Sequence, residues 1–327
     1  MQSSAPPPPQ SHSSLDLSQA SLVHSQKQPP GSALRLWLAV AVVWLVVAAA
    51  VVALWSQLAA VARPHWQVSS TSQPLQPDRD GVLRLAGSGS AIALMRQLVA
   101  SCAQTNPKLR IDVAHGIGSG GGLRALNAGA IDAALVARPL SIGEQRTGRT
   151  FAVYAQSAVA LASADPAAST LDGQALVARL VAPSPTWPTG QPLHWLLRET
   201  GDSGHATLAR GYPPFAAAET RARGDRSALV LFHDRTLHAG LLANPGSVAV
   251  VDASAVRAEA IPLHLLHWSG MEPTEDTIAS GQWPFVKPLA IVYDQAAAAR
   301  LAPLLACLRS APSQARLRAV GAVPLPF

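Results

Sequence analysis

The chain has 327 residues, 49% of them hydrophobic and 13% charged, with a formal net charge of +6. That composition excludes a chain disordered throughout, which needs few apolar residues and high charge, and two cysteines in this length exclude a small disulfide scaffold. Lysine occurs only at Lys27, Lys108 and Lys287 and the arginines form no basic run, so the surplus charge carries no nucleic-acid footprint.

Residues 1–33 are rich in Ser, Pro and Gln and include the run Pro6 to Pro9. Such a segment buries too little apolar surface to offset its ordering entropy and reads as a disordered tail. From Leu36 to Ala62 there is no charged residue. About 20 apolar residues cross a bilayer core, so residues 34–62 read as one transmembrane signal-anchor helix. Trp37 and Trp55 stand near its two ends, where indole rings favour the interface. Lys27 and Arg35 before the run and Arg63 after it weakly favour an N-terminus inside and a C-terminal domain outside the cytoplasm. A cleaved signal peptide is the competing reading, carried by the small residues of Leu58 to Ala62, although its apolar region normally spans only ~7–15 residues. Residues 63–80 are polar with several prolines and read as a linker.

From Gly81 the pattern alternates between strands and helices. Val82 to Ala86 predicts a strand, Ala91 to Thr105 a helix with Ile92, Met95, Val99 and Cys102 on one face, and Asn106-Pro107 its stop. Leu109 to Ala114 and Ala130 to Val136 predict strands around a helix that begins at Leu123. Further strands are expected at Phe151 to Tyr154, Ala158 to Ala162, Leu193 to Leu197, Ser247 to Val251 and Leu289 to Val292. Helices are expected at Gly173 to Val181, His205 to Tyr212, Asp225 to His233 and Ala297 to Leu308. Strand, small-residue turn and helix in succession imply an α/β fold with a largely parallel sheet, and the length suits two lobes.

Three strand-to-helix turns combine Gly and Ser: Gly87 to Ser90, Gly118 to Gly122, and Gly201 to Gly204. A helix N-terminus presents unpaired N–H groups and partial positive charge, glycine lets a ligand approach, and serine adds a hydroxyl. Three such turns facing one cleft would cradle an oxyanion, and Arg198 just ahead of the third would add a charge-assisted contact. Each turn alone is equally a simple helix cap. Gly201-Asp202-Ser203-Gly204 is similar to the nucleophile string of chymotrypsin-like proteases, but it precedes a helix and lacks a base segment. The 116–122 loop is not a P-loop, since no Lys-Ser or Lys-Thr follows.

The order of motifs resembles the phosphate-binding proteins of ABC-type phosphate transporters, in the type II periplasmic binding protein superfamily. LAGSGSAIALM through GIGSGGGLRALNAGAIDAALVARPL is similar to the family's opening stretch. SALVLFHDRTLHAGLLANPGSVAVV and GMEPTEDTIASGQWPFVKPLAIVY resemble its later segments. The resemblance implies a two-lobed fold, with lobe 1 at 81–160 and 275–327 and lobe 2 at 161–274. It also implies an anion held between the lobes without a cofactor or metal, in a monomeric domain. Carried over by position, the first turn is Gly89, Ser90, Ala91 and Ile92, with Ser88 as a substitute hydroxyl, followed by Ser119 and Gly120, then Arg198, Ser203, Gly204 and His205.

Two departures bear on the ligand. The family's turn threonine is Ala91, and its proton-accepting aspartate is Ala137, followed by Arg138. Arg138 and Asp202 therefore join the expected set, the latter as a substitute acceptor from the second lobe. Asp132 is expected to be structural, and Trp283 and Lys287 to serve packing and the hinge-side crossing. The superfamily's C-terminal helix returns to lobe 1, so Cys102 and Cys307 either pair there or stand as separate buried thiols. The implied function is inner-membrane-anchored, extracytoplasmic binding of phosphate or a related oxyanion for an ABC permease. The alternative is a membrane-anchored sensory or interaction module that has lost transport. A hydrolase would rest on Ser203 and His205, which two-residue spacing at a helix start does not bring face to face.

Overall fold

The computed structural model describes residues 38, 42–51, 81–224 and 228–327. The expected tail at 1–33, the linker at 63–80 and most of the expected span at 34–62 lie outside them. In the unit Met1–Ser70, residues 42–51 are helical and exposed. Among the described residues no helix is long and apolar enough to cross a membrane.

The unit Thr71–Phe327 carries the α/β architecture. Its strands are β1 (Val82–Gly87), β2 (Arg110–Gly116), β3 (Ala133–Val136), β4 (Arg149–Ser163), β5 (His194–Arg198), β6 (Leu229–Leu231), β7 (Ser247–Asp252), β8 (His264–Leu265), β9 (Val286–Asp294) and β10 (Val323–Pro324). Its helices are α1 (Gly89–Thr105), α2 (Gly118–Asn127), α3 (Gly173–Leu180), α4 (Ser203–Gly211), α5 (Pro213–Gly224), α6 (Asp234–Ala243), α7 (Ala253–Ala258), α8 (Glu275–Ala279), α9 (Ala298–Leu308) and α10 (Ala311–Ala319).

The main sheet runs β2-β1-β3-β9-β4-β7-β5-β6. Its two ends are parallel, β2-β1-β3 and β7-β5-β6, and antiparallel pairing through β9 and β4 joins them. Two cores follow from this topology. The first gathers Leu85, Met95, Leu135, Ile291 and Leu304, and the second gathers Leu161, Leu176, Trp187, Phe215 and Val250. Each such side chain removed from water contributes about 1.5–3 kcal/mol. β4 serves both lobes: Ala152, Tyr154 and Ala155 pack in the first core and Ala158 to Leu161 in the second. Ile278, Trp283 and Phe285, from the stretch expected in lobe 1, pack in the second core.

α5, α7, α8 and α10 lie where no helix was expected, and two expected elements form differently. The strands expected at Phe151 to Tyr154 and Ala158 to Ala162 are one strand, because Ala155 to Ser157 pair with β9 across the apparent gap. Ser157 tolerates burial there by donating its hydroxyl to Asp252 Oδ1 at 2.8 Å. The helix expected at Asp225 to His233 does not form over its described residues, 228–233. Leu229–Leu231 instead pairs parallel with Leu196 to Arg198 at the sheet edge, and the helices lie on either side of it. A three-residue apolar run does not by itself distinguish helix from strand.

α1 buries Ile92, Met95 and Cys102, with Val99 packed on the core margin. Cys102 is disulfide-bonded to Cys307 of α9, with Cα atoms 5.9 Å apart, which decides between the two cysteine readings. Asp132 immediately precedes β3. Its Oδ2 accepts from the Arg84 N–H at 2.7 Å and its Oδ1 from Arg300 at 2.8 Å, a structural arrangement as expected.

Candidate functional site

The three Gly-Ser turns are all helix starts. Ser88 caps α1, and its N–H donates to the Leu135 carbonyl at 2.8 Å, tying the turn to β3. The second glycine loop is itself the first turn of α2, which begins at Gly118. Gly122 is required by close packing, since a Cβ there would lie 2.8 Å from Gly87 Cα. Asp202 caps α4, accepting at Oδ1 from Gly204 N–H at 2.9 Å and His205 N–H at 3.0 Å.

These turns converge on one cavity of about 240 Å³ between the lobes. Of the expected residues, it is lined by Ser88, Gly89, Ser119, Gly120, Arg138, Arg198, Asp202 and Ser203. Arg124, Glu199 and Asp234 complete its charged wall. Helix N–H groups, serine hydroxyls and guanidinium groups in one small polar cavity are the elements of an oxyanion cradle.

Ser90, Ala91, Gly204 and His205 do not reach that wall. The Ser90 hydroxyl accepts from Lys287 Nζ at 2.9 Å, and Ala91 is fully buried in the first core. The Gly204 and His205 amides are taken by Asp202, so the third turn caps itself. The His205 ring accepts from the Arg198 N–H at Nε2, 3.3 Å away, and its Nδ1 lies 3.1 Å from Glu219 Oε1. Both ring nitrogens are thus engaged away from Ser203, which leaves a serine nucleophile without its candidate base.

Two of the arginines in the site, Arg138 and Arg198, are already paired. Arg138 donates to both Glu144 oxygens at 2.7 Å and holds that carboxyl down at about 2. Arg198 is buried and bonds to Glu199, Asp234 and the Phe232 carbonyl. Asp234 opens α6, and its carboxylate rests against Gly89 at the start of α1, where a Cβ would displace it. Burial pushes the Asp234 carboxyl up, and with the Asp202 charge this outweighs Arg198 and Lys287. Burial pushes Asp202 up too, but Lys287, His205 and Arg198 outweigh it and hold it below the usual range. Ser119 accepts from the Ala137 N–H at 3.1 Å, so its own proton remains to be donated.

Sequence reasoning missed Asp234 and Arg124 and assigned Lys287 to packing. Asp234 lay in no expected site because the helix was expected to end at His233, whereas α6 begins at Asp234, and an acidic residue at a helix start is also an ordinary feature. Lys287 is 3% exposed, bonds Ser90 and lies 3.2 Å from Asp252 Oδ2, so it is a buried cation behind the cradle. Among the described residues no group of three His, Cys, Asp or Glu stands together to hold a metal ion.

The comparisons with known proteins agree with this architecture. No curated protein sequence matches the chain. An ABC-type phosphate transport receptor from Vibrio cholerae superposes with a TM-score of 0.52 at 18% identity, covering 75% of this chain and 100% of that one. A protein from Clostridium perfringens, assigned as the substrate-binding component of a phosphate ABC transporter and holding phosphate, gives 0.60 at 14% identity over 75% and 100%. The reduced form of OxyR from N. meningitidis gives 0.53 at 17% identity over 76% and 100%. At these identities the likeness is one of fold. The sequence profile of the PBP superfamily domain matches residues 69–306, most of the chain, and the chain therefore belongs to the PBP superfamily.

Proposed function

We propose that this protein is a membrane-anchored, extracytoplasmic solute-binding protein that holds phosphate or a related oxyanion between its lobes for an ABC permease. The observation that carries the reading is the convergence of the α1, α2 and α4 starts, with Arg198, on one cavity of about 240 Å³. No step of bond chemistry is needed: the donors bind and the lobes enclose. The two relatives with phosphate in their descriptions share the fold and support the ligand class. The uncharged run from Leu36 to Ala62 supports the anchor, and the Cys102–Cys307 disulfide supports an oxidising compartment. Within this reading residues 81–160 with 275–327 and residues 161–274 form the two lobes that close on the ligand, except that Ile278, Trp283 and Phe285 go with the second.

Isothermal titration of the detergent-solubilised full chain with phosphate, sulfate, molybdate and arsenate tests it. Saturable heat with at least one oxyanion is expected. Absence of heat with all four, from protein whose folding is verified by its thermal transition, would refute oxyanion binding.

A further inference from the structure

The small cavity adjoins a second one of about 620 Å³. The two share Gly89, Gly118, Arg198 and Asp234, so they meet at the oxyanion cradle itself. A bare tetrahedral anion occupies only the smaller space. Cavities of about 150 Å³ already admit a benzene ring, and pockets for small organic ligands run to about 300–1,000 Å³. The larger space is therefore sized for an organic group.

Its walls suit such a group. Ile92 and Ala93 of α1 and Ala255 of α7 supply apolar surface, and Arg96, Arg235 and His238 supply polar contacts. His238 is 6% exposed, and its Nδ1 has no hydrogen-bond partner, the nearest acid being Glu259 Oε2 at 3.7 Å. That long ion pair leaves the nitrogen hydrogen-bonding capacity for a polar ligand atom. At the boundary between the two spaces Gly89 and Gly118 lack side chains, and Asp234 and Arg198 stand there.

Resting on the oxyanion reading, we propose that the ligand is a phosphomonoester or phosphonate carrying a substituent of ring size. The phosphoryl oxygens sit at Arg198 and the α1 and α2 starts. The substituent passes Asp234 into the larger cavity, where burial of its apolar surface adds affinity that inorganic phosphate lacks.

The full chain is titrated with inorganic phosphate, phenyl phosphate and phenylphosphonate, and again as the Thr236→Trp variant. Thr236 is an exposed α6 residue lining only the larger cavity, so an indole there fills that space without disturbing a core. Phenyl phosphate or phenylphosphonate is expected to bind about tenfold or more tighter than phosphate, as burial of a ring implies. The variant is expected to lose that advantage and to bind phosphate within about twofold of the wild type. Phosphate binding that equals or exceeds binding of both organic ligands overturns the inference and leaves the oxyanion reading intact. Equal weakening of all three ligands by Thr236→Trp also overturns it. Failure of all three to bind the wild type overturns both.

Discussion

In the proposed reading Arg198 is the side chain on which oxyanion binding depends, and its own chain already holds it. Glu199 and Asp234 neutralise it, and an entering oxyanion must compete with both. Replacing Arg198 with Ala removes a buried charge-assisted contact and is expected to weaken oxyanion affinity about 10–100-fold by titration. Asp234 is expected to act in the opposite direction, since its carboxylate lines the same cavity. Its carboxyl is raised by burial and the Asp202 charge, so it is neutral at lower pH and ionises as pH rises through the raised value. Sulfate keeps a constant charge across that interval. Its affinity is expected to fall with rising pH in the wild type, and to be higher and flatter in Asp234→Asn, as read by titration at several pH values. The serines and glycines of the cradle were legible because local turn chemistry puts them at helix starts. Asp234 was not, because it reaches Gly89 only through the packing of α6 against α1.

At the scale of elements, β4 and β9 are the two long strands that run between the cores, and Lys287 of β9 ties them to the site. Its Nζ bonds Ser90 of α1 and pairs with Asp252, the cap of α7. Burial pushes Asp252 up, but Lys287, the Ser254 and Ser157 hydroxyls and the Ala255 N–H outweigh it and hold it low. A carboxyl with a lowered folded value stabilises above its ordinary range and loses that contribution as pH falls through the lowered value. Lys287→Met leaves Asp252 buried without its cation and is expected to cost about 3–5 kcal/mol, measured from the urea midpoint. Most elements were legible from period and punctuation. The β4 gap and the Leu229–Leu231 strand were not, because sheet pairing overrides a weak local signal.

Over the whole molecule, the Cys102–Cys307 bridge spans 205 residues and ties the first helix to the late helix α9. A crosslink of that span restricts the unfolded chain far more than the folded one. The paired change Cys102→Ser with Cys307→Ser is expected to lower stability by about 2–4 kcal/mol in denaturant titration. Reductant is expected to produce a similar loss in the wild type and none in the variant.

The sequence by itself determined the α/β class, the superfamily resemblance and the three helix starts that face the cavity. The class and the helix starts follow from hydrophobic period and from glycine and serine at turns, which act over a few residues, and the resemblance follows from the order of the motifs. Only the tertiary structure decided that the cysteines pair, that Asp202 caps its own helix, and that Asp234 stands against Gly89 at the start of α1. These depend on distances between residues far apart in the chain, set by how two cores pack across shared strands.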